Sequence, residues 1–207
     1  MVSPAVVRTV AVTGPTGAGK SRFCAELVRL GASLIDADRV GHEVLDRPEI
    51  QQTLAVTFGR EVRGADGSID RGVLGALVFA SRDRRRQLEA LVHPALARAC
   101  TDRLADAVSS GSPVVILEAA VYFLLPGPPA VDMTVTVTAT AERRLDRLVE
   151  QGLAQDRARA RMEAQDHLLA GWQGADRIIE NDGTEADLQS AADEFWRDIV
   201  APNTREG

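Results

Sequence analysis

Gly14-Pro15-Thr16-Gly17-Ala18-Gly19-Lys20-Ser21 fits the pattern G-x-x-x-x-G-K-[ST], and it follows an apolar run and precedes a segment with helical spacing. Each fixed position has a chemical reason. Glycines let backbone N–H groups turn inward around an anion, and the helix that follows adds its dipole. Lysine reaches the outer phosphates, and the last hydroxyl can ligate Mg²⁺. Gly14, Thr16, Gly17, Ala18, Gly19, Lys20 and Ser21 are therefore the candidate residues for holding the phosphates of a nucleoside triphosphate. A guanine-specific switch protein would also need N-K-x-D. Lys20 is the chain's one lysine, so that class is excluded.

The next candidates are two acids in Ile35-Asp36-Ala37-Asp38, at the carboxyl end of a predicted second strand. In an open parallel sheet that edge is where ligands bind. A carboxylate there can orient an acceptor hydroxyl and take its proton during phosphoryl transfer. The same acids can instead cap a helix beginning near Arg39, and the two roles can coexist, one per acid. Cys24 and Cys100 lie far apart in apolar, helix-like patterns, without C-x-x-C or a histidine at ligand spacing, and read as buried inert thiols.

These residues need a frame. Apolar runs suited to buried parallel strands occur at Val6 to Val12, Ser33 to Ile35, Pro113 to Leu117, Val131 to Val137 and Arg177 to Ile179. Between them lie segments with helical periodicity, the clearest being Leu88, Leu91, Val92, Ala95, Leu96, Cys100, Leu104, Ala107 and Val108. Pro94 interrupts this stripe, and is expected either to kink the helix or to start a new one. Strands alternating with helices predict an α/β fold with a five-stranded parallel sheet between two helical layers. Residues 46 to 80, rich in Gly and Asp, read as a small lobe between strands two and three. Residues 143 to 165 read as a helix-turn-helix carrying Arg143, Arg144, Arg147, Arg157, Arg159 and Arg161. The last residues, "APNTREG", read as a frayed tail.

At 207 residues, the chain has room for one full core with a small appended lobe. With 45% hydrophobic and 26% charged residues, the composition is that of a soluble globular protein. No apolar run approaches the length of a membrane span, and the first residues lack a signal-peptide pattern, so a cytoplasmic location is expected. A net charge of −6 argues against a broad nucleic-acid surface. Oligomeric state cannot be read from the sequence.

Several stretches, in order, resemble the dephospho-coenzyme A kinase family: "VTGPTGAGKS", "LIDADRVGHEVL", "DGSIDRGVLGALVF" after "FG", "LEALVHPAL", "GLAQDRARARMEAQ" and "ADRIIENDGT". They cover most of residues 7 to 188. D-A-D-x-x-x-H, D-G-x-I-D-R and L-E-x-x-x-H-P together are far more specific than the phosphate loop alone. The resemblance implies a P-loop NTPase core, three-layered α/β/α, at residues 6–42, 106–140 and 166–200. It further implies a helical acceptor lobe near 43–105 and a lid near 140–165. The substrates would be ATP and dephospho-coenzyme A, with Mg²⁺, and the product coenzyme A. Asp38 would be the catalytic carboxylate, assisted by Lys20 and Arg147. Asp36, His42, Arg71 and His93 would face the acceptor, although His42 and His93 read equally as helix-packing residues. Glu118 is the candidate acid beside Mg²⁺, with Ser21.

Two departures stand out. Where the family has Arg-Asp before the "GL" of the lid, this chain has Glu150-Gln151, so Arg144, Arg157 or Arg161 is expected to replace a phosphate-clamping arginine. After strand three the chain reads "LEAAVYFLLPGPP" instead of the usual P-L-L-x-E run. The rivals are a nucleoside or nucleotide kinase and a non-catalytic nucleotide-binding module.

Overall fold

The computed structural model describes residues 8–165 and 168–201. Five strands, β1 (Arg8–Thr13), β2 (Ser33–Asp36), β3 (Val114–Glu118), β4 (Met133–Thr138) and β5 (Arg177–Glu180), pair in the order β2-β3-β1-β4-β5. All four pairings are parallel. Residues 6 and 7 of the expected first strand, and 202–207 of the expected tail, lie outside the described residues.

Alternation along the strands explains the layering, because successive side chains point to opposite faces. Val10 and Val12 of β1, with Val114 and Ile116 of β3, meet Phe23, Leu27 and Phe195 on one face. These come from α1 (Lys20–Arg29) and α9 (Glu185–Val200). Ala11, Val115 and Leu117 meet Val40, Val44, Leu96 and Cys100 on the other, from α2 (Ala37–Leu45) and α5 (Arg82–Ser109). The three-layer α/β/α arrangement follows.

Residues 46–80 are more regular than their composition suggests. They hold α3 (Pro48–Phe58), a 3-10 turn (Arg60–Val62) and α4 (Arg71–Ala80). Leu54, Phe58, Val62, Ile69 and Leu74 form a separate small core, closed by Leu88 and Leu91 of α5. Helix α5 thus serves two cores, the lobe with its first turns and the sheet with its last. It runs through Pro94 as one helix. A proline inside a helix costs about 3 kcal/mol. Burial of Val92, Leu96, Cys100 and Leu104 along one stripe, at roughly 1.5–3 kcal/mol for each large aliphatic side chain, outweighs that cost.

The arginine-rich segment is a helical hairpin of α6 (Ala141–Glu150) and α7 (Gln155–Glu163), with α8 (Leu169–Gln173) leading into β5. Among the described residues, no helix is long and apolar enough to cross a membrane. Both cysteines are buried and unpaired. Burial pushes the Cys100 thiol up to about 11 and raises Cys24 well above its usual value, which keeps both protonated and unreactive.

Candidate active site

The loop between β1 and α1 sits at the carboxyl edge of the sheet, where the central strand ends. Its path depends on glycine. Gly17 and Gly19 have φ of +76° and +97°, and a Cβ at either would lie 2.6 Å from the Arg144 carbonyl oxygen or 2.3 Å from Asn181 Nδ2. Gly19 is also the N-cap of α1, so the backbone N–H groups of the first turn open toward the loop. Lys20 Nζ folds back to donate to the Pro15 carbonyl at 3.0 Å. Burial lowers the Lys20 ammonium below its ordinary value, against the opposing charges of Glu118 and Asp38.

Three acids gather at the same edge. Asp36 and Glu118 are register partners on β2 and β3, and Glu118 also pairs with Val12 of β1. Ser21 Oγ donates to Glu118 Oε1 at 2.7 Å. Asp36 Oδ1 accepts from the backbone N–H groups of Asp38 at 2.9 Å and Arg39 at 3.2 Å, which makes it the N-cap of α2. The two expected roles of the acid pair therefore separate. Asp36 caps the helix, which begins at Ala37 rather than near Arg39, and the Asp38 carboxylate makes no hydrogen bond to the described residues. It faces a cavity of about 300 Å³ shared with Lys20, Ser21, Glu118 and Arg147.

The α6–α7 hairpin closes the other side. Arg147 Nη1 donates to the carbonyls of Gly17 and Ala18, each at 3.4 Å, while Nη2 donates to the Asn181 carbonyl at 2.8 Å. Arg144 Nε donates to the Thr16 carbonyl at 2.9 Å, and the Thr16 N–H donates to Gln165 Oε1 at 2.8 Å. Arg161 lines the same cavity. Of the arginines expected to compensate for Glu150-Gln151, Arg144 and Arg161 thus lie at the loop or its cavity.

Not every expected residue is drawn in. Ala18 is fully buried under the loop, and Gly14 packs on β4, where a Cβ would lie 2.1 Å from the Val137 carbonyl oxygen. Arg71 pairs with Asp46 at 2.9 Å and reaches the His42 carbonyl at 3.5 Å, binding α4 to the end of α2. His93 is half-buried on α5, and burial lowers its pKa. His42, Arg71 and His93 are not among the residues lining the 300 Å³ cavity.

Asn181 and Gln165 are the site residues that sequence reasoning missed. Asn181 is buried just beyond β5. Its Nδ2 donates to the Ala18 carbonyl at 2.8 Å, its Oδ1 accepts from Arg147 at 3.4 Å, and its N–H donates to the Thr138 carbonyl at 2.7 Å. The available signal was a carboxamide at the carboxyl end of the fifth strand, the same edge that holds the loop and the acids.

The family model described as dephospho-CoA kinase matches residues 8–187. The chain belongs to the dephospho-CoA kinase family. Its relatives include the "Dephospho-CoA kinase" of Frankia casuarinae, 38% identical over 93% of this chain and 84% of that one. Another is the "Dephospho-CoA kinase" of Geobacter metallireducens, 35% identical over 95% and 98%. Among solved structures, TT1252 from Thermus thermophilus superposes with a TM-score of 0.74 at 29% identity, covering 92% of this chain and 97% of that one. Dephospho-CoA kinase from Campylobacter jejuni gives 0.65 at 22% identity, over 94% and 98%. That last likeness shows the shared P-loop kinase fold. Family membership makes the chain a kinase that uses ATP.

Proposed function

We propose that this chain transfers the γ-phosphoryl group of ATP to the 3′-hydroxyl on the adenosine ribose of dephospho-coenzyme A, giving coenzyme A and ADP. The observation that carries the mechanism is the meeting of Lys20, Ser21 and the unbonded Asp38 carboxylate in one cavity beside Arg147. The backbone of Gly14 and of Thr16 to Gly19 cradles the phosphates. Lys20 turns from Pro15 to the outer phosphates, and Arg147 offsets charge on the transferring group. Asp38 accepts the 3′-hydroxyl proton as the new O–P bond forms and the bond to the bridging oxygen of ADP breaks.

The donors at the sheet edge suit Mg²⁺. Among the described residues no group of three or more His, Cys, Asp or Glu forms a metal cage, and Mg²⁺ characteristically takes one or two protein oxygens together with substrate phosphates. Ser21 and its hydrogen-bonded neighbour Glu118 would hold it. The ion would supply neutralisation of phosphate charge. Asp36 keeps α2 aimed at the cavity, while His42, Arg71 and His93 are assigned to the acceptor side. The division into a core at 6–42, 106–140 and 166–200, an acceptor lobe at 43–105 and a lid at 140–165 belongs to the same reading, as does a cytoplasmic location.

The test is ADP release at fixed Mg-ATP against dephospho-coenzyme A, adenosine, AMP, dCMP and water, with mass analysis of the product. Dephospho-coenzyme A should win by several orders of magnitude, because its remote parts supply binding energy that orients the hydroxyl. A nucleotide winning, or no turnover with any acceptor, overturns the reading.

A further inference from the structure

One carboxamide side chain reaches the phosphate loop from outside it. Gln165 lies two residues past α7, and its Oε1 accepts the backbone N–H of Thr16 at 2.8 Å. An N–H can only donate, so this bond sets which way the carboxamide faces: oxygen on the loop, Nε2 away from it. The backbone of Gln165 is held on both sides, its N–H donating to the Met162 carbonyl at 3.0 Å and its carbonyl accepting from the Leu168 N–H at 2.9 Å. Thr16 is equally fixed, since it is buried and its carbonyl accepts from Arg144 Nε at 2.9 Å.

The other end of the carboxamide is unspent. Nε2 carries two N–H donors and bonds to none of the described residues. Gln165 is half-buried and lines the 300 Å³ cavity with Lys20, Ser21, Asp38 and Arg147. It also lines a second cavity, of about 230 Å³, with the apolar side chains of Val121, Leu124 and Leu168, and so stands where the two meet. Its neighbours have their donors engaged. Arg147 gives Nη1 to the Gly17 and Ala18 carbonyls and Nη2 to Asn181, and Lys20 Nζ rests on the Pro15 carbonyl. Gln165 can offer a donor to the cavity without giving up a bond.

We propose that Gln165 is a catalytic residue of the transfer reaction: its Nε2 donates to a non-bridging oxygen of the γ-phosphoryl group while its Oε1 stays on the Thr16 N–H. As transfer proceeds, the bond from phosphorus to the bridging oxygen of ADP breaks and the bond to the acceptor oxygen forms. The hydroxyl proton passes to Asp38, and the carboxamide keeps both of its own. A donor held in place beforehand needs no reorganisation when charge spreads over the oxygens of the transferring group. The end of the hairpin thereby touches the reacting atoms directly, in addition to bracing the loop. This role rests on the reading of the cavity under the proposed function and adds a residue to it.

Two substitutions separate donation to the phosphoryl group from bracing of Thr16. Gln165→Glu keeps an acceptor for the Thr16 N–H and puts an oxygen where the donor stood, whereas Gln165→Met keeps the length of the side chain and loses both. Steady-state kinetics with dephospho-coenzyme A should show kcat lowered about tenfold or more in each, with Gln165→Glu at least as impaired as Gln165→Met. Calorimetric titration of Gln165→Met should show Mg-ADP bound within about twofold of wild type, and the Mg-bound imido analogue of ATP, which adds the γ-phosphoryl group, bound several-fold more weakly. If bracing Thr16 were the whole role, Gln165→Glu would turn over like wild type. A kcat within about twofold of wild type in Gln165→Glu therefore overturns the proposal, as does an equal loss of Mg-ADP and analogue affinity in Gln165→Met. The two readings fail separately. If wild type forms no coenzyme A the acceptor is wrong, and the nucleotide titrations, which need no acceptor, still decide whether Gln165 meets the γ-phosphoryl group.

Discussion

At the scale of single residues, two carboxylates one position apart have different surroundings and should fail differently. Asp36 spends an oxygen on two backbone N–H groups, whereas Asp38 keeps its carboxylate toward the cavity. Asp38→Asn should lower kcat by a hundredfold or more, within the usual range for a positioned general base, and leave ATP affinity and Tm unchanged. Asp36→Ala should instead cost about 1 kcal/mol of stability through the lost cap. Steady-state kinetics and thermal unfolding on both variants check this, and the reverse ranking would exchange the roles. The sequence made Asp36 and Asp38 visible as a pair at a strand end but left their roles open. What divided them was the direction of each side chain, which depends on where the backbone turns from β2 into α2.

At the scale of elements, the phosphate loop is held from outside by the hairpin and by β5. Asn181 is the joint, donating to Ala18 and accepting from Arg147. Its two side-chain atoms do different jobs, and substitution can separate them. Asn181→Asp keeps the acceptor toward Arg147 and adds charge to that pair, but turns an oxygen toward the Ala18 carbonyl where a donor stood. Asn181→Ala loses both. If the bond to the loop is the decisive one, Asp and Ala variants should both raise the KM for ATP and lower kcat about tenfold or more, since each leaves the Ala18 carbonyl with only the long bond from Arg147 at 3.4 Å. Kinetics close to wild type in Asn181→Asp would show that holding Arg147 is what counts. The strands and hairpin were legible because short apolar runs and arginine-studded helical spacing are local signals. Asn181 was not, because its contacts reach across 163 residues to Ala18, and no window of sequence carries that pairing.

At the scale of the whole molecule, the chain has two cores against the faces of one sheet and a third, smaller core in the lobe. The glycine-rich stretch of the lobe looked irregular because its order comes from five buried side chains and not from a long periodic stripe. Helix α5 joins the lobe to the sheet, since Leu88 and Leu91 close the small core while Leu96 and Cys100 pack beneath β3. A small core buries little apolar surface, so it should open at lower free energy than the sheet. Native-state hydrogen exchange should therefore release amides of α3 and α4 well before those of β1 and β3. Leu54→Ala removes a side chain that is fully buried in the lobe, which for a core leucine costs about 2–5 kcal/mol. It should speed exchange across residues 48–80 while leaving β1 and β3 at wild-type rates under conditions where only local opening contributes. Equal acceleration in lobe and sheet would mean that α5 couples the three cores into one cooperative unit, and that the lobe cannot move without loosening the sheet that carries the phosphate loop.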